Sequence, residues 1–319
     1  VDGPGAQRNK LQESLAVIRA AIPKGWCTAA VRRAELNRFL FGPEDVVVAV
    51  GQDELVANLA KYLDGQPVIG VNGDPSRNPG ILVPHTAATA AALLQRAAIG
   101  ALPTEGRTMV RAELDDGQAL LALNEVFVGH ASHQSARYSL SYAGREEPQS
   151  SSGLIVASGT GATGWALSIS PRTRVAVDVA PSDEAAMFLV REPRPSMATG
   201  AALTSGKLGP GDVLLVVSRM NEGGLVFADG MEGDGLDSAW GRTLRVSVSD
   251  RQLHFVPGTA PPKAPVPSPA PVRRRAPPAA PVAATPKPVS NRPQGRGGSS
   301  DTCAGGCRPC SACPGWRTC

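Results

Sequence analysis

The run Val46-Val47-Val48-Ala49-Val50 ends in Gly51-Gln52-Asp53, and from residue 54 Leu55, Leu59, Tyr62 and Leu63 recur at helical spacing. A short β-branched run, a glycine and an amphipathic helix make the strand–turn–helix unit of an α/β layer. A helix entered in this way points its free N–H groups at the turn, which suits an anion. Gly51 is expected to allow a backbone conformation closed to other residues, so that N–H groups converge on phosphate. Asp53 then has two readings. It is a base for a hydroxyl in phosphoryl transfer, or it is the N-cap of the helix over 54–63.

Neighbouring segments extend the layer. Leu11, Leu15, Ile18 and Ile22 predict a helix over 8–22, residues 67–71 and 80–83 read as strands, and the Ala-rich stretch 86–99 reads as a helix. Strand–helix alternation of this kind indicates a parallel α/β unit over 1–105. A doubly wound sheet usually opens with a strand, and none precedes the first helix, so a truncated N-terminus is an expectation.

From residue 106 the period changes to two. Strands are expected at 108–114 and 120–128 around Asp115-Asp116-Gly117, a hairpin signal, and at 136–142 and 153–158 around a polar turn at Glu146-Glu147-Pro148. Further short strands are expected at 175–179, 187–191, 213–218, 225–228, 243–249 and 253–256. Many short strands with turn signals predict a β-rich, sandwich-like domain over 106–256.

Charge and cysteine content divide the chain again. The net charge is +4, but residues 257–319 hold nine Lys or Arg against Asp301, so the remaining residues carry −4. Nucleic-acid partners are therefore not expected of the globular part. The Pro/Ala-rich tail over 257–319 has too little apolar surface to offset its ordering entropy and is expected to be disordered. Its Cys307-x2-Cys310-x2-Cys313 has metal-ligand spacing without a nearby His, so no metal site is assigned. Cys27 reads as a small core residue. No run of eighteen apolar residues and no secretion signal occur, so no membrane span and a cytoplasmic location are expected.

Other stretches carry possible chemistry. Asn124-Glu125 interrupts an apolar strand, and adjacent strand residues face opposite ways, so at least one needs a buried partner or a ligand. Ser158-Gly159-Thr160-Gly161-Ala162-Thr163-Gly164-Trp165 is thin in side chains and dense in hydroxyls, which suits phosphate or ribose. It also matches G-x-G-x-x-G, with Asp178 at the spacing of a ribose acid, although Pro171 shortens the helix a dinucleotide fingerprint needs. Asp229-Gly230 reads as an acidic turn or a site for a cation or hydroxyls. His130 and His133 lack a third ligand for a metal.

In this order the stretches resemble the NAD kinase family. Its members show a Gly-Gly-Asp-Gly loop, an Asn-Glu motif, a Gly-Asp-Gly-Leu-Ile-Val strand running into Pro-Thr-Gly-Ser-Thr-Ala-Tyr, and a late Asp-Gly turn. Here these are Gly51-Gln52-Asp53-Glu54, Asn124-Glu125, Ser152-Gly153-Leu154-Ile155-Val156 running into Ser158 to Trp165, and Asp229-Gly230. The resemblance implies an NAD kinase-like fold, with an α/β N-terminal domain and a β-rich C-terminal domain. It implies a phosphotransferase using ATP and Mg²⁺ (or another divalent cation), NAD as acceptor and a homo-oligomer. By position it makes Asp53 the catalytic base and Gly51 the phosphate turn. Asn124 and Glu125 would hold the dinucleotide, Thr160, Gly161 and Thr163 would line the nucleotide loop, and Trp165 would stand for a stacking tyrosine. Gln52, Glu54 and Ser152 depart from the family pattern. They leave open another hydroxyl acceptor, such as a sugar or nucleoside, or a nucleotide-binding protein without turnover. A nicotinamide-dependent oxidoreductase is the remaining alternative.

Overall fold

The structure is a computed structural model that describes residues 4–75, 80–173 and 178–258. The Cys-containing tail from 259 and most of the strand expected at 175–179 lie outside the described residues. Helix α1 (Pro4–Ala20) precedes strand β1 (Val47–Gly51), helix α2 (Asp53–Ala60), strand β2 (Pro67–Asn72) and helix α3 (Ala87–Ala97). Strands β1 and β2 pair in parallel, Val47 with Val68 through Gly51 with Asn72. Val56, Leu59 and Leu63 bury one face of α2 and its exit against Ala49 and Val68, while Ile69 and Val71 point the other way, toward Ile18, Ala90 and Leu94. Alternate β2 residues thus serve opposite helical layers, as expected of a strand covered on both faces.

The rest of the described chain is almost all strand: β3 (Glu105–Leu114), β4 (Ala119–Ala122), β5 (Glu125–His130), β6 (Ala136–Tyr142), β7 (Arg145–Ser151), β8 (Leu154–Ser158), the short helix α4 (Trp165–Thr173), β9 (Ala186–Val190), β10 (Ser205–Leu208), β11 (Leu214–Ser218), β12 (Gly224–Ala228), β13 (Met231–Asp237) and β14 (Thr243–Phe255). They form two sheets. One is antiparallel, in the order β10-β9-β8-β5-β12-β13, and the other is an eight-stranded mixed sheet that also contains β1 and β2. The long strand β14 makes this mixing possible. Along one edge its first residues pair with β11 and its last two, His254 and Phe255, pair in parallel with β2. The sheets face each other across Val126, Val128, Leu154, Val156 and Phe188 on one side and Val110, Tyr138, Leu140, Val216 and Val246 on the other. Each fully buried side chain of this size contributes about 1.5–3 kcal/mol of burial.

Several expectations change, and the two strands expected at 243–249 and 253–256 are the single strand β14. Residues 80–83 are not a strand, because their backbone bonds to a side chain (below). The strand expected over 120–128 is two strands, β4 in the mixed sheet and β5 in the antiparallel one, with the crossing at Leu123-Asn124. The polar stretch expected as a turn at 146–148 is strand β7, paired with β6 through all seven residues, and the true turn is Ala143-Gly144, both at positive φ. Cys27 is exposed, not core.

Candidate functional site

A chain that leaves one sheet to join another abandons its ladder, and its peptide groups need other partners. At the crossing between β4 and β5 the carboxylate of Asp229 supplies them. Oδ2 accepts from Leu123 N at 2.9 Å, and Oδ1 accepts from Asn124 N at 2.7 Å and Glu125 N at 3.3 Å. Asp229 and Gly230 lie at φ 50° and 72°, the left-handed pair that a tight β12–β13 hairpin requires. The carbonyls of the crossing are met from β8, where Ser158 Oγ donates to Leu123 O and Ser158 N donates to Asn124 O at 2.9 Å. A Cβ at Gly161 would overlap the Asn124 carbonyl, so the glycine-rich loop lies directly on the crossing. The acidic turn is therefore structural at its Asp, a role visible only once the crossing is known.

One buried polar group here lacks a partner, and a half-buried amide beside the loop is uncommitted among the described residues. The Thr160 hydroxyl is buried with no hydrogen bond, and the Asn124 side chain makes none among the described residues. Glu125 is half-buried. Burial, then the neighbouring Asp229, push its carboxyl from an ordinary 4.5 to about 7. Burial also raises Asp229 to about 6, against the three N–H bonds and the nearby Lys61 cation. Lys61, just past α2, is paired with Asp234 of β13. It ties the helix that follows Asp53 to the hairpin that carries Asp229. Leu123 packs in the same apolar cluster as Val56, Leu59, Leu82 and Val83, which brings α2 and the 80–83 loop to the crossing.

Asp53 is the first residue of α2. The N-cap is Gln52, with no side-chain cap bond. The Asp53 carboxylate instead accepts from Ile81 N (3.1 Å), Leu82 N (2.8 Å) and Val83 N (3.1 Å). A carboxylate offers about four acceptor positions, so about one is left free. Gly51 is an extended strand residue, not a left-handed one, and its expected special conformation is corrected. Glu54 lies at the helix N-terminus beside Arg33, at 3.7 Å.

Side chains alternate along β5. Val126 and Val128 enter the sandwich, so Glu125, Phe127 and Gly129 share the outer face, over about 14 Å. Trp165 stacks on Phe127 (5.7 Å between ring centres, 17° between planes), Phe227 lies 4.9 Å from Phe127, and the Arg191 guanidinium sits 5.1 Å over Trp165. These side chains, with His130 and His133, line a groove of about 670 Å³. His130 Nδ1 accepts from Ser132 N at 3.0 Å. No three His, Cys, Asp or Glu side chains gather as a metal site among the described residues. Thr163 donates to Thr160 O at 2.8 Å and shapes the loop. Strand β8 is antiparallel to both neighbours, so the G-x-G-x-x-G of 159–164 is not the turn of a parallel dinucleotide-binding unit.

No protein-family model and no curated protein matches the chain. Among solved structures, yeast NADH kinase in complex with NADH is similar, with a TM-score of 0.53 and 17% identity. The match covers 68% of this chain and 65% of that one, so the chain spans about two thirds of its neighbour's length. The likeness shows a common fold, a mixed α/β sheet packed with an antiparallel one. No described helix is long and apolar enough to cross a membrane.

Proposed function

We propose that the chain is an NAD(H) kinase-like phosphotransferase that moves the γ-phosphoryl group of ATP, carried with Mg²⁺ as its co-substrate, to a hydroxyl of NAD or NADH. The observation that carries this reading is the half-buried Glu125 at the sheet crossing, whose carboxyl is raised to about 7, with the glycine-rich loop and its orphaned Thr160 hydroxyl lying on the same crossing. A carboxyl tuned to the working pH is what a general base needs. The acceptor oxygen bonds to the γ-phosphorus as the bond to the β–γ bridging oxygen breaks. ADP leaves, and Glu125 takes the hydroxyl proton. Asp53, with most of its acceptor capacity committed to residues 81–83, holds that loop and spends its free lone pair on orienting the acceptor. Asn124 and Thr160 bind the ribose and its phosphates, Gly161 and Thr163 keep the loop close, Trp165 offers a ring face, and Gly51 leaves room at the end of β1. Positioning of this kind supplies most of the rate in phosphoryl transfer. A homo-oligomer in the cytoplasm belongs to the same reading, and light scattering tests the assembly.

The same fold also supports binding without turnover, and the commitment of the Asp53 carboxylate to three backbone N–H groups favours that alternative. One assay separates them. The full chain is given ATP, Mg²⁺ and either NAD or NADH, and NADP(H) is measured by a coupled dehydrogenase. Product that falls about 10²–10⁴-fold in Glu125→Gln supports the kinase. Tight nucleotide binding with no product from either acceptor supports the binding protein.

A further inference from the structure

On the mixed sheet, away from β5, three arginines lie side by side with no counter-charge. Arg137 and Ser150 are partners in the β6–β7 ladder. Arg219, just past β11, donates its N–H to Arg137 O at 2.9 Å, and Arg194 donates its N–H to Ser150 O at 2.7 Å. Backbone bonds thus fix all three on neighbouring segments. Gly241 N bonds to Ser218 O at 2.9 Å, which sets Trp240 beside Arg219. The four side chains line one cavity of about 480 Å³, together with Ser196 and Thr199.

Among the described residues no Asp or Glu lines this cavity, and none of the three arginines makes an ion pair. That is unusual on a globular part that carries −4 overall. Other arginines of the chain are paired, such as Arg107 with Glu105 and Arg242 with Asp115. Like charges on adjacent strands repel and destabilise a sheet. A bound anion removes that repulsion, and guanidinium forks match phosphate oxygens two at a time. Trp240 is 62% exposed at the rim, where a large indole has no packing reason to stand. An exposed aromatic face beside phosphate-binding arginines is the combination that holds a nucleobase.

We propose that this cavity is a second ligand site, separate from the Glu125 crossing, and that it binds a nucleoside polyphosphate with its phosphates on Arg137, Arg194 and Arg219 and its base on Trp240. The proposal is independent of the kinase reading. It stands on residues that take no part in the crossing. Arg194 also borders the outer groove, which Arg137, Arg219 and Trp240 do not line.

The test is a calorimetric titration of the full chain with ADP, tripolyphosphate and adenosine in separate arms, without divalent metal. Binding is compared in wild type, Arg137→Ala/Arg219→Ala and Trp240→Ala, with Asn124→Ala, at a residue the kinase reading places on the nucleotide, as the control for the other site. The expected result is an ADP event kept in Asn124→Ala and weakened at least about tenfold in the arginine variant, since a charge-assisted bond is worth about that factor. Trp240→Ala weakens ADP and leaves tripolyphosphate unchanged. Equal ADP binding in the arginine variant overturns the site. Unchanged ADP binding in Trp240→Ala, with tripolyphosphate as tight as ADP, overturns the nucleotide and leaves a site for phosphate chains alone. Circular dichroism of each variant verifies folding, and Arg137→Lys/Arg219→Lys, which keeps the charge but not the forks, supplies a partial rescue if the variant with alanines is unfolded.

Discussion

Replacing Glu125 by Gln separates what this carboxyl does for stability from what it does for chemistry. Gln keeps the shape and removes the titration. In the folded chain the carboxyl titrates at about 7, against an ordinary 4.5. A raised carboxyl contributes stability that is fully present below the ordinary value and is lost as pH rises through the folded one, because the folded state holds the proton longer. The window is therefore pH 4.5 to 7. At about 1.4 kcal/mol for each pH step, the full loss is about 3.5 kcal/mol. Glu125 is half-buried, so part of that is screened, and a net 1–3 kcal/mol is the expectation, roughly. Urea unfolding of the full chain at pH 5, 6, 7 and 8 reads it directly. Wild type loses stability across the window, and Asp229, raised from 3.8 to about 6, adds to the loss at its lower end. Glu125→Gln flattens the upper part of the curve and is the more stable protein at pH 8. Parallel curves, or a variant less stable than wild type at pH 8, would refute the burial argument. A base role requires that the stabilised variant is also the inactive one.

Asp229→Ala leaves three N–H groups at the sheet crossing without their acceptor and puts alanine at φ 50°. A loss of about 3–5 kcal/mol is expected in urea unfolding at pH 7, and a loss under about 1 kcal/mol would mean that water replaces the carboxylate. Gly161→Ala forces a methyl group into the Asn124 carbonyl and should cost about 1–3 kcal/mol, whereas Gly233→Ala, whose methyl group meets open space on β13, should be silent in the same urea unfolding.

Much of the local structure was legible in the residues. The Val-rich run before Asp53 is β1, and the following helical spacing is α2. Asp116-Gly117 turns the chain between β3 and β4, with Gly117 at φ 88°. Thr86 caps α3 by accepting from Thr89 N at 3.2 Å. Strand β7, Arg-Glu-Glu-Pro-Gln-Ser-Ser, was not legible. Its composition is polar because much of it is exposed or half-buried, and its pairing with β6 comes from the two-residue turn at Ala143-Gly144. The break between β4 and β5 was equally hidden, since an apolar run looks the same whether it stays in one sheet or passes to another.

The residues by themselves determined many of the strands and helices, β1, α2, α3 and the β3–β4 hairpin among them. Period, β-branching and turn chemistry are local properties, and they survive without knowledge of the partners. Only the tertiary structure decided what the carboxylates do. Asp53 and Asp229 each accept three backbone N–H groups from segments 28 to 30 and 104 to 106 positions away, and the Glu125 carboxyl is pushed up to about 7 by burial and then by Asp229. Desolvation and charge–charge repulsion depend on what surrounds a group in space, so no pattern along the chain could have shown that two of these acids are taken up by backbone N–H groups while the third is raised toward neutrality.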